Sequence, residues 1–182
     1  MRMKDLPFDI TRADAADIPR LVELDIAANA LFRETGLIAD AALGEHVPAD
    51  VLEAAIAARE VFVMRHQWTA EAAGFTLTSV RGDTLYLDQV SVHPDHGRQG
   101  LGGALVRRVI EDAKGRGLKS VTLSTFRDLP WNGPFYRKLG FREIRRDKLA
   151  DWMHEIEAAQ ADKLDVSARC FMRKNCGLIP FL

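Results

Sequence analysis

The stretch Leu85-Tyr86-Leu87-Asp88-Gln89-Val90-Ser91-Val92-His93-Pro94-Asp95-His96-Gly97-Arg98-Gln99-Gly100-Leu101-Gly102-Gly103 decides the fold of this chain. It begins as an apolar strand, passes through a glycine-rich turn and opens into a helix over Leu101 to Ala113. In that helix Leu101, Leu105, Val106, Val109 and Ile110 form one apolar face. Leu85 and Leu87 share one face of the strand. Val90 and Val92 join that face only if the register slips by one residue at Asp88-Gln89, as a β-bulge would make it. Such a bulge leaves backbone groups that the neighbouring strand does not pair, and these can bind a ligand's carbonyl. The other reading is a strand buried on both faces, where no alternation is required. The stretch by itself is compatible with both.

Working outward, Phe8 to Thr11 alternates as a first strand, and Asp14 caps a helix whose first turn carries Asp17. Ile18, Leu21, Val22, Leu24, Ala28, Leu31 and Phe32 make its apolar stripe, and Gly36 stops it. Asp25 and Asn29 fall inside the stripe, where polar groups need partners or a purpose. Pro48 to Ala58 is a second helix with Val51, Leu52, Ala55 and Ile56 facing inward. Strands follow over Val61 to His66, Ala73 to Val80 and Thr84 to Val92, with turns at Gln67 to Ala70 and Arg81-Gly82-Asp83. After the Leu101 helix come a short strand at Val121 to Ser124 and a brief helix from Asn132 to Leu139, closed by Gly140. A covering helix from Leu149 to Ala159 and a last strand from Val166 to Met172 complete the order. Hairpins first and then a strand–helix–strand unit predict an α/β (α+β) fold, a mixed sheet with helices on both faces.

The 182 residues fit one domain, 1–182, with 47% hydrophobic and 28% charged residues as in ordinary globular chains. Lys and Arg number 25 against 26 Asp and Glu, a net charge of -1, so no basic field is present to hold nucleic acid. No apolar run approaches the roughly 18 residues of a membrane span. Met1 to Asp5 lead into Leu6-Pro7-Phe8 with no apolar signal core, so a cytoplasmic location is expected. Cys170 and Cys176 are too few for a disulfide framework or a four-cysteine zinc site, and neither carries a nucleophile signature. His93 and His96 have a metal-like spacing but no third ligand beside them, so no metal is expected. The apolar tail Cys176 to Leu182 either crosses a homodimer interface or docks on its own domain.

A glycine-rich turn from strand to helix presents successive N–H groups at a positive helix end, an arrangement suited to phosphate. The dinucleotide fingerprint fails, because counting from Gly100 and Gly102 the last glycine position holds Leu105. The P-loop pattern fails, because Gly102 is followed by Gly103 rather than lysine. The third kind of site is the pyrophosphate turn of acyl-CoA-dependent N-acyltransferases. Val90-Ser91-Val92-His93-Pro94 through Gly102 resembles the central motif of the GNAT N-acetyltransferase superfamily. Ser124 to Asn132, with Phe135-Tyr136-Arg137-Lys138-Leu139-Gly140-Phe141, is similar to that family's second cofactor-contacting region. The sharp motifs lie within residues 85–141. One departure stands out: the family pattern Gln/Arg-x-x-Gly-x-Gly/Ala begins here at Gly97, with Arg98 next to it, which bears on the side-chain contact rather than on the main-chain amides.

The resemblance implies a mostly antiparallel sheet and transfer of an acetyl group from acetyl-CoA to an amine by direct attack in a ternary complex. It implies cofactor contacts from Val90, Val92, Gly97, Arg98, Gln99, Gly100, Gly102, Gly103 and Asn132. Tyr136, four residues after Asn132 and so on the same helix face, matches the family's tyrosine acid. Asp88 stands at the bulge, where related enzymes carry a carboxylate that works through water; the alternative is a strand carboxylate paired with a surface arginine. Asp25 and Asn29 on the first helix are expected at the acceptor pocket, or else as water-bonded boundary residues. Phe32 and Trp131 are expected to wall that pocket, or to be plain core. The acceptor expected is a small amine or amino acid, because the long segment Arg33 to Pro48 can close the groove. The alternatives are a protein N-terminus or lysine, and a non-catalytic acyl-CoA-binding module.

Overall fold

In the computed structural model the described residues are 7–177, and they form one seven-stranded sheet in the order β1-β2-β3-β4-β5-β7-β6. The strands are β1 (Phe8–Arg12), β2 (Val61–His66), β3 (Ala72–Arg81), β4 (Thr84–Val92), β5 (Ser120–Phe126), β6 (Arg142–Glu143) and β7 (Arg169–Asn175). The helices are α1 (Ile18–Asn29), α2 (Ala49–Ala57), α3 (Leu101–Gly115), α4 (Gly133–Lys138) and α5 (Asp151–Gln160). Every strand pair is antiparallel except β4 and β5, which run parallel because α3 carries the chain back between them. The mixed, mostly antiparallel α/β fold expected from the sequence is therefore the fold observed.

Strand alternation sorts the core onto two faces. Phe62, Leu85, Leu87, Val121 and Leu123 pack beneath Val106, Val109 and Ile110 of α3. Val90 and Val92 pack with Leu101, Ala104 and Leu105 at the start of the same helix. On the opposite face Val61, Val63, Phe75 and Leu77 meet Leu21 and Leu24 of α1 and Leu52 of α2. Further along that face Tyr86 and Phe171 lie under Trp152, Met153 and Ile156 of α5. Asp14 begins the first helical segment with a reciprocal cap: Asp14 Oδ1 accepts from Ala16 N at 2.9 Å, and Asp17 Oδ2 accepts from Asp14 N at 2.9 Å.

Several expectations about packing and boundaries are corrected. Helix α1 ends at Asn29, and a tighter turn at Ala30–Phe32, with three residues per turn, swings Leu31 out to 51% exposure. Val51 is 44% exposed, because the inward stripe of α2 is Leu52, Ala55 and Ile56 and nothing covers the position one residue off it. The last strand begins at Arg169 rather than Val166, since Asp165 Oδ1 accepts from Ser167 N at 3.0 Å and holds a short turn over Val166–Ala168. The two-residue strand β6 is too short to leave a periodic signal. The expectations about Met1 to Asp5 and about the end of the apolar tail fall outside the described residues.

Candidate active site

Strand β4 has two partners along its first half and one along its second. Thr84 to Leu87 pair with Ser120 to Leu123 of β5, and there the parallel pairing ends, while β4 continues to Val92 against β3 alone. From Asp88 to Val92 one backbone edge of β4 therefore faces no strand. The bulge lies at the point of parting: Leu77 of β3 pairs with Gln89 and Thr78 with Leu87, so Asp88 is the extra residue. That slip keeps Leu85, Leu87, Val90 and Val92 together on the α3 face, as the hydrophobic pattern requires. The side chains of Val90 and Val92 serve the core, so what they can offer a ligand is their main chain.

The turn that follows leads into the N-terminus of α3. His93 Nδ1 accepts from Asp95 N at 3.3 Å and starts a short turn that Gly97 closes by donating to Pro94 O at 2.9 Å. A Cβ at Gly97 would stand 2.9 Å from that carbonyl oxygen, which gives a steric reason for glycine at the family's Gln/Arg position. Arg98 and Gly100 both adopt positive φ (59° and 84°), and Gln99 lies between them on the surface. The first helical bond of α3 runs from Ala104 N to Gly100 O at 3.1 Å, and no side chain caps the helix. The amides of Leu101, Gly102 and Gly103 thus have no acceptor among the described residues and point from a positive helix end. Beside them stands α4, since a Cβ on Gly102 would lie 3.7 Å from Phe135 Cζ.

Helix α4 contributes Asn132 and Tyr136. Asn132 is its N-cap residue, yet its side chain makes no capping bond, and its Oδ1 is buried without a partner. A buried acceptor left open is costly unless a ligand donates to it. Gly133 admits no side chain, because a Cβ there would fall 2.0 Å from Arg127 O. Tyr136 is 6% exposed and packed edge-to-face on Phe135 and Phe141, with ring centroids 5.0 and 5.7 Å away. Burial raises its phenol above the ordinary value, so it is a proton donor throughout the neutral range.

On the other side of the parting, Asp88 is exposed, with protein packed beside its carboxyl. Partial desolvation pushes that carboxyl up to about 6, while Ser79 and Arg81 act against the rise. Phe32 packs on Phe126 at 5.7 Å and on Trp131 at 6.3 Å between centroids, so the two expected aromatics do come together, with Phe126 as a third. Trp131 remains 44% exposed. Asn29 Nδ2 donates to Glu45 O at 2.8 Å and also borders a groove of about 390 Å³ with Ile26, Arg33, Asp40 and Leu43, apart from the bulge. Asp25 differs from its expected position at an open pocket. It is 2% exposed, and its carboxylate accepts from Val47 N at 2.8 Å, Gln89 Nε2 at 2.6 Å and Ser91 Oγ at 2.8 Å. All of its reach is used to tie α1 to β4 and to the loop before α2.

Two residues that the sequence reading did not single out also stand here. Arg169, the first residue of β7, donates from Nε and Nη2 to Ser124 Oγ at 3.3 and 3.1 Å, and its Cζ lies 4.9 Å from the Phe126 ring centroid. Tyr86 sits in the same neighbourhood, its phenol raised first by burial and then by Asp88. The available signal was an arginine leading directly into the apolar run Cys170-Phe171-Met172. Among the described residues no group of three metal-ligating side chains comes together, and no helix is long and apolar enough to cross a membrane.

Comparison with known proteins agrees with this geometry. The model of the acetyltransferase (GNAT) family matches residues 24–141. The [ribosomal protein bS18]-alanine N-acetyltransferase of Escherichia coli K12 is 36% identical over 77 residues, covering 41% of this chain and 52% of that one. The chain thus spans about half the length of the curated relatives it matches. Among solved structures, the PaiA N-acetyltransferase of Thermoplasma acidophilum with coenzyme A superposes with a TM-score of 0.71 at 15% identity, covering 92% of this chain and 98% of that one. The N-acetylglutamate synthase of Neisseria gonorrhoeae, solved with coenzyme A and N-acetyl-glutamate, gives 0.71 at 17% identity over 94% of this chain and 35% of that one. The Escherichia coli ribosomal-protein-S18-alanine N-acetyltransferase gives 0.66 at 20% identity over 96% and 99%. With a family model spanning well over half of its residues and the same fold throughout, the chain belongs to the GNAT acetyltransferase family.

Proposed function

We propose that this protein is an acetyl-CoA-dependent N-acetyltransferase whose acceptor is a small primary amine. The observation that carries the reading is the conjunction at one point of three features. These are the unpaired β4 edge at the bulge, the free amides opening α3, and a buried phenol that stays protonated. The α3 amides with the Arg98–Gly100 turn fit a pyrophosphate, and the open Asn132 Oδ1 fits a donor on the cofactor's pantetheine arm. Acetyl-CoA, when bound, supplies the thioester that is the acyl donor. A β4 amide near Val90 donates to the thioester oxygen as negative charge develops on it. Asp88, ionised above about pH 6, takes the amine's proton through water. As the new carbon–nitrogen bond forms and the carbon–sulfur bond breaks, Tyr136 gives its proton to the departing sulfur. Holding both substrates at the parting of β4 and β5 supplies much of the acceleration.

A small acceptor is supported by the segment between α1 and α2, which is pinned down rather than open. Ala39 N donates to Lys163 O and Asp165 N to Leu37 O, each at 2.9 Å, Ile38 bridges Leu164, and Lys163 pairs with Glu45 at 2.5 Å. A second reading, acetylation of a protein N-terminus, is favoured by the activity named for the bS18-alanine relatives. Titration calorimetry with acetyl-CoA and CoA, followed by thiol release over a panel of amines and N-terminal peptides, separates the two. Tyr136→Phe is expected to lower kcat with acetyl-CoA affinity nearly unchanged. Unchanged turnover removes the phenol from the reaction, and absence of acetyl-CoA binding overturns the reading as a whole.

A further inference from the structure

Resting on that reading, we propose that Arg169 binds a carboxylate on the acceptor, so that the substrates are amino acids or other small amines carrying a carboxylate.

The arginine is unusual in this molecule for what surrounds it. Arg12, Arg65, Arg116, Arg127 and Arg146 each pair with an aspartate or glutamate. Arg169 is half-buried and pairs with no carboxylate among the described residues. The ionisable groups acting on it are Tyr86, Cys170 and Tyr136, and burial keeps all three neutral near pH 7, with the Cys170 thiol pushed up to about 11. Burial also lowers the guanidinium's own pKa from its usual value. A half-buried guanidinium with no carboxylate beside it favours an anion there.

The orientation leaves a fork free. Nε and Nη2 are occupied by Ser124 Oγ, while no acceptor is found for Nη1, so Nη1 and the second hydrogen of Nη2 remain for a bidentate carboxylate. Ser124 and the Phe126 ring hold the plane in place. Its place in the sheet is on the proposed acceptor side: Arg169 pairs across to Phe126, in the part of β5 that has left β4, and Phe32 and Trp131 stand against Phe126 there. The same chemistry could enter on a dicarboxylic acyl donor instead, so the test has an arm for each source.

Thiol release is measured with acetyl-CoA and free amino acids, their methyl esters and the corresponding decarboxylated amines. Wild type is expected to use the free acids, with KM for the esters and decarboxylated amines higher by on the order of 30-fold or more. Arg169→Gln is expected to remove that discrimination by raising KM for the acids alone, with acetyl-CoA affinity measured by calorimetry little changed. Arg169→Lys keeps the charge without the fork and is expected to fall between, which also covers a failure of the glutamine variant to fold. Turnover that ignores the carboxylate in wild type, an acetyl-CoA-binding enzyme that uses no carboxylate-bearing amine, or discrimination that survives both variants overturns the assignment while leaving the acetyltransferase reading intact. So does an Arg169-dependent preference for succinyl-CoA over acetyl-CoA. Absence of acetyl-CoA binding overturns both.

Discussion

Asp25→Ala is the most informative perturbation of the scaffold under the site. Its carboxylate is buried and takes three donors from three elements: the Val47 amide before α2, and Gln89 and Ser91 on β4 just beyond the bulge. A hydrogen bond to a charged acceptor contributes about 1.5–3 kcal/mol. The full sum is not expected, because Gln89 Nε2 and Ser91 Oγ keep their own bond at 3.0 Å and the half-buried Val47 amide can turn to water. With one bond lost outright, two weakened and a small void left, the loss should be about 3 kcal/mol. For a chain of this size that corresponds to a fall in Tm of roughly 6–12 °C. Urea unfolding followed by circular dichroism measures it, with Asp25→Asn expected to lose less because its carbonyl still serves Gln89 and Ser91. A loss below about 1 kcal/mol refutes the argument. So does an alanine variant of wild-type stability with a raised acceptor KM, which would return Asp25 to the acceptor pocket.

Further outcomes follow from the same geometry. Asp88→Asn should abolish the acidic limb that kcat/KM shows near pH 6 in wild type, because the carboxyl must be ionised to accept a proton; a limb that persists in the variant belongs to another group. Gly133→Ala, which sets a Cβ 2.0 Å from Arg127 O, should cost about 3 kcal/mol or more by displacing the start of α4, as read by chemical unfolding; a neutral change would mean that the turn yields easily. Against Thr78 of β3, beside the bulge, burial raises the Glu60 carboxyl, but Arg116 at 2.8 Å and the Thr78 hydroxyl at 2.6 Å outweigh it and hold the pKa below its ordinary value. Stability from this group is therefore present above the unfolded value of 4.5 and lost as pH falls through the lower folded one. Arg116→Gln should flatten that acid loss, and an unchanged profile would deny the pair its role.

Local patterns carried much of the architecture. Apolar runs bounded by turn residues placed β2, β3 and β4, and the 3.6-residue period placed α3; the mismatch of Leu85 and Leu87 with Val90 and Val92 was compatible with a bulge or with a strand buried on both faces, and the pairing with β3 decides for the bulge. The strands and the helix are readable because each depends on the spacing of neighbours along the chain. Gly97, Gly100 and Gly102 marked the turn for the same reason, since main-chain geometry there is a local matter.

What only the tertiary structure decided is who stands across from whom. Asp25 read as an acceptor-pocket residue or as a capped or water-bonded boundary position, and its partners prove to include Gln89 and Ser91, more than 60 positions away, in a strand that the sheet order brings under α1. Arg169 read as one more strand residue until Ser124, Phe126 and Tyr86, from two other strands, closed around it. The parting of β4 from β5 is likewise invisible in either strand alone, because it is a property of their pairing. A sequence determines which residues can form a strand, a turn or a helix face through short-range sterics and hydrophobic period. The charge, protonation and availability of a side chain depend on burial and on partners from distant segments, and these exist only once the sheet has assembled.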